Sequence, residues 1–146
     1  MMSNVTSFTE KKREKQLTYE RKLLRNLSID ELKKSVTQHL KMIGTGSFIH
    51  EGVEEACMDV GIEAFLNGGE YSRFVLYGET MEMIKNRCGD DRAHLIETLY
   101  NFWLYWDYGQ KLIQEEQVYS ACEYFVDEWW QRGFQKGERR YKLRLH

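Results

Sequence analysis

Carboxylates and histidines are the side chains in this chain most suited to chemistry. Glu51, Glu55 and Asp59 recur every four residues and Glu63 extends the row, so all four share one helix face. Such a row can bind a divalent cation or shift the proton affinity of its own members. His50 and Glu54 stand four apart and could reach one ligand. A di-metal centre in a helical bundle draws Glu from two helices and Glu-x-x-His from two others. The closest approach here is a single Asp91-Arg-Ala-His94. His39, His50, His94 and His146 have no Cys or Ser beside them in a nucleophile pattern. Gly44-x-Gly46 is followed by Ile49 where a dinucleotide fingerprint needs its third glycine, and no strand precedes it. Phosphate-loop, nucleophile-elbow and His-Glu-x-x-His motifs are missing from the sequence. The expectation is no cofactor, no metal and no catalytic residue. The alternative is a small-molecule or metal-dependent enzyme with a site in the bundle built on His50, Glu54 and His94.

The elements that would position these residues read as all-α. Residues 1–146 form one expected helical domain, a bundle of five or six helices with basic, partly frayed ends. A first helix runs over about Phe8–Leu27, with Ser7 and Glu10 at capping-box spacing. A second starts at the box Ser28-Ile29-Asp30-Glu31, carries Leu32, Val36, Leu40 and Ile43, and breaks at Gly44-Thr45-Gly46-Ser47. The third spans about Ile49–Asn67, with Gly68 and Gly69 as left-handed cap residues. The fourth covers about Glu70–Arg87, with Gly78 marking a kink or close contact. The fifth, about Asp91–Glu115, is apolar on two sides and therefore expected at the centre. The sixth starts near Glu116 and continues through Arg140. The expected core draws on Leu32, Val36, Val53, Cys57, Val60, Phe74, Leu99, Trp103, Phe125 and Trp129. Adjacent Trp129 and Trp130 point about 100° apart, so both are buried only if their helix has neighbours on two sides. If it does not, one indole marks an interface, and a homodimer through the aromatic helices follows.

Composition narrows the classes. At 42% hydrophobic and 30% charged, with no proline, the chain is neither disordered nor fibrous. Its densest apolar stretch, Phe102-Trp103-Leu104-Tyr105-Trp106, is far short of the about 20 residues a membrane span needs. The N-terminal residues lack a signal-peptide core, which gives a cytoplasmic expectation. Cys57, Cys88 and Cys122 are an odd number without a Cys-x-x-Cys. Cys57 and Cys122 read as buried hydrophobes and Cys88 as exposed.

Charge layout is the most informative feature. Residues 1–27 carry seven Lys/Arg against three Glu, and residues 131–146 six against one. Between them eight Lys/Arg face nineteen Asp/Glu, a net −11. Lys11, Lys12, Arg13 and Lys15 crowd the first helix; Arg139, Arg140, Lys142 and Arg144 crowd the last. If the two helices lie side by side they form one cationic face for a protein partner or polyanion. The same charges are otherwise solvated, or pack on the acidic middle of the chain. The expected function is a non-enzymatic interaction or regulatory protein using these basic ends.

Gly61-Ile-Glu-Ala-Phe-Leu-Asn-Gly-Gly69, Tyr77-Gly-Glu-Thr-Met81, Trp129-Trp130 and Tyr141-Lys-Leu-Arg144 occur in that order. On these strings the chain resembles a family of small proteins from Bacillus and relatives, of the YbaK-like kind. That family is distinct from the tRNA-editing deacylase that shares the label. The resemblance covers nearly the whole chain and implies the cytosol of a Gram-positive bacterium. It implies no activity, cofactor or site residue.

Overall fold

A computed structural model describes residues 3–43, 51–107 and 114–144, with side chains over 9–43, 52–107 and 114–143. Among these residues every regular element is helical: α1 (Ser3–Leu24), α2 (Ile29–Ile43), α3 (Glu51–Tyr71), a 3-10 helix (Ser72–Tyr77), α4 (Met81–Arg87), α5 (Gly89–Asp107) and α6 (Glu115–Arg144). The all-α bundle of six helices is therefore the observed fold. The expected Gly44–Ser47 break, the join between Asp107 and Glu115, and His50 lie wholly or partly outside the described residues.

Local chemistry explains most boundaries and corrects three. Ser28 caps α2 as expected, its Oγ accepting from the Glu31 N–H at 3.2 Å. α1 starts before Ser7, so the Ser7/Glu10 pair does not set its beginning. Gly68 and Gly69 do not end α3, which continues to Tyr71. The single helix expected over Glu70–Arg87 is three pieces. A 3-10 turn follows α3, Gly78 takes the left-handed φ of 81° that favours glycine, and Thr80 caps α4 by accepting from the Met83 N–H at 3.2 Å.

α3 and α6 form the axis. They run parallel: Gly61 lies beside Phe125, Phe65 beside Gly133, and Ser72 beside Gly137. α2 and α5 run antiparallel to α6, with Glu31 opposite Arg132, Ser35 opposite Trp129, Arg92 opposite Asp127 and Tyr100 opposite Tyr119. The centre is thus α6 with α3, and α5 flanks them. Trp129 and Trp130 are both buried because α6 does have neighbours on two sides. Trp129 Nε1 donates to Ser35 Oγ of α2 at 2.8 Å, and Trp130 Nε1 to Asn67 Oδ1 of α3 at 2.9 Å. One hydrophobic cluster draws on all six helices.

Glycine makes the axis possible. A Cβ on Gly133 would stand 1.9 Å from the Phe65 carbonyl oxygen, one on Gly68 2.0 Å from that of Trp130, and one on Gly137 2.6 Å from that of Gly69. The two backbones are in direct contact, and no other residue type fits there. Of the expected core, Phe74 is only half-buried, because it sits on the 3-10 turn with the Arg73 and Arg87 guanidinium groups 4.9 and 4.2 Å from its ring centre. The other nine expected core residues are buried. Cys88, expected to be exposed, is buried as well. It is the one residue between α4 and α5, and that tight reversal turns its thiol inward toward the Lys85 carbonyl at 3.6 Å.

Candidate interaction surface

α1 is two half-helices with different surroundings. Its second half is anchored: Leu23 is fully buried, and the Tyr19 hydroxyl donates to the Gly69 carbonyl at 2.7 Å. That carbonyl lies at the C-terminal end of α3 and also accepts from Ser72 Oγ at 2.6 Å. Burial, with Tyr141 beside it, raises the Tyr19 hydroxyl above its ordinary pKa, so it stays a donor. Its first half is bare: every residue from Thr9 to Thr18 is exposed.

The sequence places the basic side chains along this bare half. Lys12 and Lys15 precede Tyr19 by seven and four residues, so they continue the face on which α1 docks. Lys11 adjoins them, while Glu10, Arg13 and Glu14 occupy the other side of the helix. Leu23 packs at Gly69, near Gly133, whereas Tyr19 packs on Tyr141 with ring centres 5.9 Å apart. α1 is therefore antiparallel to α6, and its N-terminal half lies at the same end as the C-terminus of α6. Lys15 and Lys11 stand about 6 and 12 Å beyond the Tyr19–Tyr141 contact along α1.

At this end Arg139 and Lys142 are exposed, and Lys142 pairs with Glu138 of its own helix at 3.1 Å. Arg140 is half-buried, with Nη1 enclosed and without a hydrogen bond. The Arg144 side chain lies outside the described residues. Among the described residues, Lys11, Lys12, Arg13, Lys15 and Arg139 make no ion pair. Of the terminal cations among the described residues, only Arg132 pairs with the acidic middle, bonding Glu31 at 2.8 Å and Glu128 at 3.1 Å.

Of the carboxylates expected to share a face, Glu55, Asp59 and Glu63 are in the open, and the Glu51 side chain lies outside the described residues. Glu54, Glu55, Asp59 and Glu63 are exposed on α3 and make no ion pair among the described residues. Glu54, Glu55 and Asp59 border a groove of about 440 Å³ between α2 and α3, with Lys33, Val36, Thr37 and Met58 completing its lining. His94 lines a different groove with Glu20, Glu63 and Asp91. Glu54 and His94 thus do not meet, and His50 lies outside the described residues. No group of three or more His, Cys, Asp or Glu among the described residues is placed to hold a metal ion.

The interior holds a polar cluster that sequence reasoning did not single out. His39 is only 3% exposed on the apolar face of α2, and its Nε2 accepts from Trp103 Nε1 at 3.1 Å. The imidazole proton therefore sits on Nδ1. Burial pulls the pKa of His39 down to about 4, against a smaller opposing effect from the Ala121 carbonyl. Ser35, one turn before His39, accepts from Trp129 and donates to Glu128 at 3.4 Å. Both groups line a cleft of about 210 Å³ with Tyr124 and Glu128. Each is engaged by an indole N–H and Ser35 bonds no histidine, so the pair latches α2 to α5 and α6. The spacing of Ser35 and His39 along the apolar face of α2 was the signal for this cluster. The thiols are equally passive: burial pushes Cys57 and Cys122 up to about 12, helped by Glu54 for Cys57 and by Cys57 for Cys122. No helix among the described residues is long and apolar enough to cross a membrane.

Comparison with known proteins agrees with the short strings of the sequence. The "Uncharacterized protein YbaK" of Bacillus subtilis (strain 168) is 34% identical over 151 residues, covering 99% of each chain. No solved structure matches. The model of the family described as "Protein of unknown function (DUF2521)" matches residues 2–146, and the chain belongs to that family.

Proposed function

We propose that the protein is a non-enzymatic interaction protein that engages an anionic surface with its basic ends. The observation that carries this reading is the bare half of α1. Ten consecutive helical residues, 9–18, are all exposed and present Lys11, Lys12, Arg13 and Lys15 without an ion pair among the described residues. An isolated helical stretch this short is marginal in water, and it gains order most readily by docking. Arg139 extends the same cationic end from α6. Partner binding through the ends is better supported than binding through the aromatic helices, because Trp103, Trp129 and Trp130 are all buried. Three free, buried cysteines fit a cytoplasmic setting.

The test is fluorescence anisotropy with labelled poly-L-glutamate and labelled poly(U), in low salt and at about 0.5 M salt. The wild type should bind at least one probe in low salt. Lys11→Ala, Lys12→Ala and Lys15→Ala together, or with Arg139→Ala, should weaken binding about ten-fold or more and flatten its salt dependence. Binding that these substitutions leave unchanged, or no binding to either probe, would reject the reading.

A further inference from the structure

α2 is flanked by two adjoining hollows. One is the cleft of about 210 Å³ between α2 and α6, floored by the His39 and Phe125 rings, which are only 3% and 1% exposed. Gln38, Met42 and Tyr124 also line it and are exposed. Neither the Gln38 amide nor the Tyr124 hydroxyl has a hydrogen bond among the described residues. Glu128 lines the same cleft; its two oxygens accept from Arg132 and Ser35, and each keeps a second acceptor site. The other hollow is an open groove of about 690 Å³ along α2. Among the described residues it is lined by Lys33, Lys34, Thr37 and Lys41, and again by Gln38 and Met42. Its three lysines are exposed and make no ion pair among the described residues. We infer that the two hollows together bind a guanine nucleotide, with the base in the cleft and the phosphates on the lysines.

Size and chemistry select this class. The cleft is smaller than the about 300–1,000 Å³ of a drug-sized pocket, so it takes one ring system and leaves the rest of the ligand outside. Tyr124 and the Met42 thioether give a flat base an aromatic face and a polarizable sulfur to pack on. Glu128 is acceptor-only, which suits guanine: its N1–H and 2-amino group are adjacent donors, whereas adenine presents an acceptor at N1. Gln38 supplies an N–H for the guanine O6. Burial holds His39 neutral, with its pKa pulled down to about 4, so Glu128 is the only charge among the described residues lining the cleft. A phosphate is therefore repelled from the cleft and drawn to the groove, whose described lining holds lysines and no carboxylate. Lys34 and Lys41 lie about one turn before and after Gln38, the residue at which the two hollows meet. The site shares no residue with the basic ends, so it stands apart from the proposed function.

Isothermal titration calorimetry of the full chain with GDP, guanosine and ADP tests this. GDP should saturate one site per chain, and guanosine and ADP should each bind about ten-fold or more weakly. Lys34→Ala with Lys41→Ala should bring GDP down toward guanosine and leave guanosine itself unchanged. Tyr124→Ala and Gln38→Ala, both at exposed positions, should each weaken GDP and guanosine alike, Tyr124→Ala by about ten-fold. Helical circular dichroism should be unchanged in all of these variants. The arm variant (Lys11→Ala, Lys12→Ala, Lys15→Ala) should bind GDP as the wild type does. No heat of binding with GDP at about 1 mM, or ADP binding as tightly as GDP, would overturn the inference. So would GDP binding that survives Tyr124→Ala and Gln38→Ala unchanged, or that is lost in the arm variant. Loss of poly-L-glutamate or poly(U) binding in the arm variant bears on the proposed function alone, so the two readings fail separately.

Discussion

The α3–α6 crossing and the bare half of α1 are both helical, yet they are built on opposite principles. At the crossing, glycines remove side chains so that two backbones touch, with Trp129, Trp130, Phe65 and Phe134 packed alongside. Interior packing of this density tolerates almost no change in volume. In the arm every residue from Thr9 to Thr18 is exposed, and the side-chain hydrogen bonds of Gln16 and Thr18 stay within α1. Residue identity in one region is set by the space available, and in the other by what the surface must meet. Stability should therefore respond to the crossing, and association to the arm.

The largest expected effect breaks the crossing. Gly133→Ala places a methyl against the rigid Phe65 carbonyl, so the helices must separate. We expect a loss of about 3 kcal/mol or more in urea denaturation, or failure to fold. Gly61→Ala meets only Leu32 and Phe125 side-chain atoms, at 2.7 and 3.2 Å, and should cost much less. Equal losses at the two positions would show that backbone contact is not what matters.

Acid should act next, through His39. Its folded pKa of about 4 lies below the unfolded value of about 6.5, so the unfolded chain takes up the proton first. Stability from this group is complete above about pH 6.5 and falls as pH drops toward about 4, by about 3 kcal/mol in all. His39→Gln keeps an acceptor for Trp103 and should flatten this part of the profile. A slope as steep as in the wild type would place the acid sensitivity elsewhere. Tyr19→Phe removes one hydrogen bond to the Gly69 carbonyl and should cost about 1 kcal/mol. Smallest of all, Lys11→Ala with Lys12→Ala and Lys15→Ala should leave the urea midpoint within about 0.5 kcal/mol of the wild type. A larger loss would mean the arm is packed after all.

Much of the architecture could be read where a local signal coincides with a buried face. Helix class, the Ser28 cap and nine of ten expected core residues follow from periodicity and capping. Errors arose where tertiary contact overrides local chemistry. Gly68 and Gly69 look like helix terminators but serve as a backbone contact, and only their partner across the bundle reveals it. Gly133-Phe-Gln-Lys-Gly137 was the visible counterpart, since glycines four apart leave one helix face without side chains. α5 looked central because its aromatics spread round the helix, yet Tyr105 is 79% exposed and α6 holds the centre. The basic segments were legible as charge, but that they share one end depends on α1 running antiparallel to α6. Chain direction within a bundle is not written in either segment.

Amide hydrogen exchange tests the central contrast most directly, on the protein alone and with poly-L-glutamate or poly(U). Amides of residues 9–18 should exchange fast in the free, low-concentration protein and slow when an anionic probe is added. Amides of α6 around Gly133 should be among the slowest and unaffected by the probe. An arm already protected when alone, or left unprotected by both probes, would contradict the division into a fixed crossing and a docking arm.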